Sequence, residues 1–504
     1  MIDHVPVLLV VAPIVGGALP LLAGLLSDRA GWSLATLTLG VHAALAAWLV
    51  ATVAGGQPVV YEVGGFAAPY GIELVVDGLS AAVVGLVSVV SFGVLAYARR
   101  AGPHTNSFYT LYLLLVAGLS GMSITGDVFN LYVFLEITGL AAYALVASGD
   151  QDAAAVAALR YLIIGTFGAS LYLLGVGYLL VATGTLNMAD LATKIPQVDG
   201  GYTSTLILAA FGLMTAGLAV KVALYPVHTW QPDAYANSPD SVSTLISALV
   251  STVAAYSLAR VVFSVFTVEF FAAVPLAQDA LFAVAAISVV VGSALAVSQR
   301  DVRRMLAYSS VSQFGLVIAG FAVASSTAVV GAIIHLVGHA VMKGGLFATA
   351  GIIERKTGAR TIEEYAGLTD RAPVAAGAFA VLAFSMVGVP PAVGFVGKWY
   401  IVLGAVEVGA WALVAVLLLS TVLTLAYFAR LVESMYFTDA PTAAEAEAVA
   451  EPEAAGAAIP DGGDAAVSPG MVAVAVTAAV LAVALGLAFP GVEQALENSL
   501  PFLP

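Results

Sequence analysis

Three of the five lysines, Lys221, Lys343 and Lys398, lie inside apolar stretches long enough to cross a membrane, and so does Glu136. A charge at the bilayer centre costs about 2.5–3.5 kcal/mol on the lenient insertion scale, so such residues are rare and tend to mark ion paths. The other two lysines, Lys194 and Lys356, fall in polar connections. A carboxylate alone in low dielectric takes up a proton, whereas one facing an ammonium stays ionised. Glu136, in DVFNLYVFLEITGLAAYALVA, and Lys221 read as such a pair. A lysine in low dielectric can load and release a proton, so switching the pairing would pass a proton or a cation exchanged for one. The alternative is a static pair that fixes helix packing. Buried pairs gain little net stability over apolar replacements, which favours transport.

His335, His339 and Lys343 occur in GAIIHLVGHAVMKGGLF at spacings of four and four, one stripe of a helix. Histidine titrates near neutrality, so the stripe reads as a relay between the two halves of the chain. An i, i+4 histidine pair also suits zinc, but a third ligand and the glutamate of H-E-x-x-H are missing nearby. A satisfied core histidine is the other alternative. Lys398 follows a Pro-Pro interruption and reads as the terminal site, exchanging with a vestibule. The arginines of DVRRMLAYSS, residues 301–310, are predicted to anchor a helix end at the lipid headgroups.

The elements that must position these residues follow from composition. The 504 residues are 61% hydrophobic and 10% charged, with mean hydropathy +1.02, against about 25% charged in soluble domains. The chain has no cysteine, which excludes disulfides, thiolate metal sites and cysteine-ligated iron–sulfur clusters within it. No cofactor motif, nucleic-acid motif or metal set is predicted. MIDHVPVLLVV lacks a basic leading region and reads as a retained first helix. Net charge is −14, with the acidic excess gathered between Asp439 and Asp464. Few lysines, acidic loops and a pI near 4.7 suggest a salt-loving source; an acidic linker on an ordinary membrane protein is the plainer reading.

At about 20 apolar residues per crossing, the pattern predicts an all-α polytopic membrane protein of about fourteen spans. These fall near 5–26, 33–54, 79–98, 108–125, 127–147, 156–182, 204–228 and 241–263. The later ones fall near 278–298, 305–323, 326–352, 374–405, 409–435 and 470–489. A short interfacial helix is predicted over 185–197. Arg29, Arg99, Arg100, Arg300, Arg303, Arg304, Arg355, Lys356, Arg360 and Arg371 then share one side, cytoplasmic by the positive-inside rule, with both termini outside. The seventh and twelfth spans contain prolines, Pro226 with Pro232 and Pro390 with Pro391, which break helices. Paired broken helices five spans apart indicate inverted repeats. The division is 1–107 (helices 1–3), 108–263 (first repeat), 264–436 (second repeat), 437–468 (a disordered acidic cytoplasmic loop) and 469–504 (helix 14).

FNLYVFLEITGLAAYALVA, KVALYPVHTWQPDAYANSPDSVSTLISAL, DVRRMLAYSSVSQFG and HLVGHAVMKGGLF resemble the antiporter-like subunits of Mrp-type cation/proton antiporters, respiratory complex I and membrane-bound hydrogenases. The resemblance spans about residues 60–435, and the FNLYVFLEI form is most similar to the Mrp D subunit. It implies fourteen spans, two inverted five-helix repeats and a mid-membrane chain of charged, water-linked sites. By motif it places Glu136 and Lys221 on the family's glutamate–lysine pair. It places His335, His339 and Lys343 on its eleventh helix, and Lys398 on its twelfth-helix lysine. One departure stands out: where the family carries a lysine on its eighth span, SALVSTVAAYSLAR has Thr252. Either water with Ser251 and Thr252 bridges that gap, or the relay is weakened.

The leading expectation is an ion-translocating subunit, not an enzyme, of a multisubunit Na+/H+ antiporter in the cell membrane. Its partners would be other membrane subunits, lipids, H+ and Na+. The alternatives are a proton-pumping arm of a redox complex and a structural subunit with a weakened relay.

Overall fold

Apolar runs and short polar connections give an all-α membrane protein with one short two-stranded hairpin outside the helices. The computed structural model describes residues 4–27, 29–103, 105–149, 151–439 and 467–498, the side chains of 489–498 excepted. The order is α1 (Val5–Gly24), α2 (Gly31–Val53), the antiparallel strands β1 (Val59–Glu62) and β2 (Glu73–Val76), α3 (Gly78–Ala101), α4 (Asn106–Ile124), α5 (Val128–Val146), α6 (Asp152–Thr183) and the short α7 (Met188–Lys194). Then come α8 (Thr205–Val222), α9 (Trp230–Asn237) and α10 (Asp240–Arg260), which a π-helical segment, Val261–Phe266, joins to α11 (Thr267–Ala273). The remainder is α12 (Pro275–Ser298), α13 (Val302–Val323), α14 (Ser326–Thr357), α15 (Leu368–Arg371), α16 (Pro373–Val387), α17 (Val393–Glu407), α18 (Trp411–Phe437) and α19 (Pro469–Asn498). Among the described residues thirteen helices are long and apolar enough to cross a membrane. The pair α16 and α17 adds one interrupted crossing, matching the fourteen predicted. The acidic segment read as a loop lies outside the described residues over 440–466.

Helix starts are set by polar side chains that accept from backbone N–H groups lacking an intrahelical partner. Asp77 accepts from Ser80, Thr105 from Phe108, Asp127 from Asn130, Asp301 from Arg304 and Ser325 from Ala328.

Both predicted breaks form. Helix α8 stops at Val222, and Ala223 is left-handed (φ 67°), which for a residue with a Cβ costs about 1–3 kcal/mol. Carbonyls freed in lipid need partners. Here the Trp230 indole donates to Val220 O (2.9 Å), and the Ser251 hydroxyl donates to Lys221 O (3.2 Å). Helix α16 stops at Val387 before left-handed Gly388 (φ 99°). The Lys398 ammonium on α17 donates to the carbonyls of Met386 (2.8 Å) and Val387 (3.1 Å). Each broken helix packs on the 32-residue helix preceding it, α8 on α6 and α17 on α14.

The arginines of the 301–310 segment depart from expectation. Arg303 is buried, bonded to Asp240 and 2.8 Å from Glu354 Oε2; Arg355 donates to Asp240 Oδ2 at 2.6 Å. Arg304 and Arg160 share Asp233. These guanidiniums tie helix ends together through carboxylates on neighbouring helices. At the far end of α10, Arg260 Nη2 lies 2.5 Å from Asp77 Oδ1 and Oδ2. Burial opposes ionisation of Asp77, yet Arg260 and the Ser80 hydrogen bonds outweigh it and hold the carboxyl below the ordinary aspartate range.

Candidate functional site

Lys221 sits in the last turn of α8 and is buried. Its ammonium donates to the Tyr143 hydroxyl at 2.7 Å and lies 5.2 Å from that ring's centroid. The direct Glu136–Lys221 ion pair expected from the sequence is not formed. Glu136 is half-buried on α5, and its Oε1 is enclosed without a protein partner. Gly139 explains the difference. A Cβ there would fall 2.8 Å from Lys221 Nζ and 2.9 Å from the Tyr143 oxygen, so the missing side chain is where these two groups meet. Gly165 on α6 clears the other side, since its Cβ would lie 2.0 Å from the same oxygen. A cavity of about 10 Å³, open to the centre of a water molecule and bordered by Thr138, Gly139, Tyr161 and Lys221, adjoins the pair. That is about the room one water needs.

The histidine stripe lies within α14. His335, His339 and Lys343 are all fully buried. His335 Nε2 is 2.8 Å from Gln313 Oε1 on α13. The His339 ring packs 4.5 Å from the Phe314 ring centre, with neither nitrogen partnered. Lys343 donates to Leu306 O (2.7 Å) and to the Ser309 hydroxyl (2.8 Å), which also accepts from Tyr427 (3.0 Å). Gly397, beside Lys398, lets α17 press against His335: its Cβ would fall 2.6 Å from the His335 Cβ. Lys398 closes the end of α16, where a cation also suits the helix dipole.

Beside the Lys221 break lies a neutral polar cluster on α9 and α10. Ser251 bonds the Lys221 carbonyl and accepts from Gln231 Nε2 (3.2 Å), which also reaches the Tyr235 hydroxyl (3.1 Å). Thr252 donates instead to Ala248 O of its own helix (2.7 Å), so of the two hydroxyls only Ser251 bonds outside its own helix. Antiparallel packing brings Gly351 beside Asp240 and Gly344 beside Ala248, and this register carries Thr252 to the level of His339. Buried atoms without a protein partner concentrate along the row: Glu136 Oε1, Tyr161 OH, Gln231 Oε1, Gln313 Nε2, His335 Nδ1 and both His339 nitrogens. Such atoms are costly to bury dry and are where ordered water binds.

Tyr143, Gly139, Gln231, Gln313 and Ser309 were missed in the sequence. Only Tyr143 left a signal, seven residues or two turns after Glu136. Lys398→Met tests the capping task. It leaves two carbonyls unpartnered, at about 1–3 kcal/mol each. The thermal midpoint in detergent is expected to fall, while Lys398→Arg, which keeps the donors, retains most of it.

The family described as NADH:quinone oxidoreductase/Mrp antiporter, TM, matches residues 125–424. The NADH-quinone oxidoreductase N subunit of Desulforudis audaxviator is 44% identical over 447 residues, 88% of each chain. The D subunit of a Na(+)/H(+) antiporter from Alkalihalophilus pseudofirmus is 33% identical over 369 residues, 73% of each chain. A chain of the Mrp complex from Dietzia sp. DQ12-45-1b superposes with TM-score 0.86 at 26% identity, covering 100% of this chain and 97% of its own. The motif resemblance holds, but its leaning to the antiporter branch is not specific, since the oxidoreductase relative is more alike over a longer stretch. The salt-loving source finds no support in these matches.

Proposed function

Since this chain belongs to the NADH:quinone oxidoreductase/Mrp antiporter transmembrane family, we propose that it moves protons across the membrane along Glu136, Lys221, Ser251 with Thr252, His339, His335, Lys343 and Lys398. One observation carries the reading. Lys221, Lys343 and Lys398 are buried on three helices, and among the described residues the hydrogen-bond partners of their ammonium groups are all neutral. A buried lysine bonded to neutral groups has no carboxylate bonded to it to lock it in its charged form, so it can load and release a proton. The buried, unpartnered polar atoms between them supply places for the water that would link the sites.

Multisubunit assembly goes with this reading. Glu136 borders an exposed apolar stripe of Phe129, Val133 and Leu140 on α5, and a neighbouring membrane protein there would keep the carboxylate from lipid. We place the chain in the plasma membrane with the Arg303 cluster inside and the termini outside, and take 108–263 and 264–436 as inverted repeats. Two driving forces are supported. Likeness to the antiporter relative and to the Mrp complex favours exchange of Na+ for H+. The 44% identity to a quinone oxidoreductase component favours a redox-driven complex. Sealed vesicles carrying the chain's whole complex separate them by a pH-sensitive dye. Exchange predicts a pH change on a Na+ pulse alone; redox driving predicts one only with electron donor and acceptor. A complex that moves no protons under either condition overturns the proposal.

Thr252→Lys is expected to assemble in wild-type amounts, because the unpartnered His339 nitrogens at that level offer an ammonium an acceptor. Loss of the assembled complex would count against that register.

A further inference from the structure

We propose that the Tyr143 phenol, resting on the transport reading above, is the proton-passing group between Lys221 and Glu136. Four observations converge on it. The Lys221 ammonium donates to its oxygen at 2.7 Å, and no ion pair between Lys221 and Glu136 occurs among the described residues. The oxygen occupies the space left by the missing side chain of Gly139. Gly139 is one turn from Glu136, and residues three apart on a helix are surface neighbours with Cβ atoms about 5–6 Å apart. A tyrosine on a helix leans toward the N-terminus, which aims this phenol back along α5 toward the carboxylate. Glu136 Oε1 is enclosed and has no protein partner.

The surroundings hold the phenol in place while leaving its proton free. Tyr143 meets Tyr161 edge-on at 4.5 Å, and Tyr161 stacks on Trp230 at 3.9 Å. Trp230 is fixed in turn by its bond to Val220 O, at the break that follows Lys221. The rings and the broken helix therefore set the Lys221–Tyr143 distance together. The phenol accepts from Lys221, so its own O–H can donate elsewhere. In one step Lys221 gives a proton to the phenol oxygen while the phenol gives its proton to the Glu136 carboxylate, directly or through one water. Neutral lysine and neutral carboxylic acid result, and the reverse restores both charges. No proton is gained or lost overall.

The test uses vesicles carrying the whole complex. Tyr143→Phe keeps the ring and removes the oxygen, and proton movement is expected to fall at least about 100-fold, the lower end of what a positioned acid–base group contributes. Gly139→Ala, whose methyl fills the meeting point, is expected to do the same. Fluorinated tyrosines at position 143 keep the shape with a more acidic phenol. They are expected to restore movement while displacing its pH profile, which a purely structural hydroxyl would not do. Full activity in Tyr143→Phe, or an unmoved profile with the fluorinated residues, overturns the inference. Glu136→Gln is run alongside. If it is inactive while Tyr143→Phe is active, only the inference falls; if both are active, the transport reading falls with it.

Discussion

Lys221→Met and Lys343→Met are each expected to reduce proton movement by the assembled complex to background. Methionine is unbranched and of similar length, so it fills the same channel through the packing and removes only the ammonium. The loss is expected to reach at least about 100-fold, as for other groups that load and release a proton. The two variants should differ in stability. Lys221→Met removes a single hydrogen bond, the donor to the Tyr143 oxygen, and leaves that phenol's own O–H free to donate. Lys343→Met removes a donor from the Leu306 carbonyl, which keeps the Ser310 hydroxyl, and from the Ser309 hydroxyl, which keeps Tyr427, at about 0.5–1.5 kcal/mol for each hydrogen bond lost. Assembled protein is therefore quantified in each case, and flux is expressed per assembled complex. Normal flux in both variants would leave the row of lysines without a transport role and favour a scaffolding role.

The second large effect concerns stability. Asp240→Ala is expected to cost up to about 3–5 kcal/mol, the range for breaking a buried pair from one side, because Arg355 loses its carboxylate and Arg303 keeps only Glu354. The Arg303 side chain is only 8% exposed, so water cannot take over. Asp233→Ala should cost far less. Its partner Arg160 is 51% exposed, and exposed pairs contribute about 0–1 kcal/mol. Thermal denaturation in detergent compares the two. Asp240→Ala with Arg303→Met removes both charges of the closest pair and should recover part of the loss. Equal, small shifts for the two aspartates would return the arginines to the headgroup role that the sequence suggested.

Span positions, both helix breaks and the His335–His339–Lys343 stripe were legible in the sequence because hydropathy and proline act locally. What lay across helices was not. Glu136 and Lys221 are complementary charges at similar depth, and pairing them is the natural reading. A glycine on α5 and another on α6 instead admit the Tyr143 hydroxyl between the helices. Arg303 follows the rule for basic residues at helix ends, yet it is buried and bonded to Asp240, 63 positions away. Lys398 looked like a transport site alone; the unpaired carbonyls of the α16 break give it a capping task that local pattern does not reveal. At Thr252 the residue type was read correctly as uncharged, yet its hydroxyl serves its own helix and Ser251 makes the link to Lys221.

The most direct measurement asks whether a buried side chain of the row changes protonation as the complex works. Infrared difference spectra of the whole complex, taken across an imposed pH gradient, are expected to contain a carboxylic-acid band that disappears in Glu136→Gln. The same band should be lost in Lys221→Met, because the proton reaches Glu136 from that lysine. A Glu136 carboxylate that stays in one state throughout, with proton movement undiminished, would contradict proton transfer along these residues.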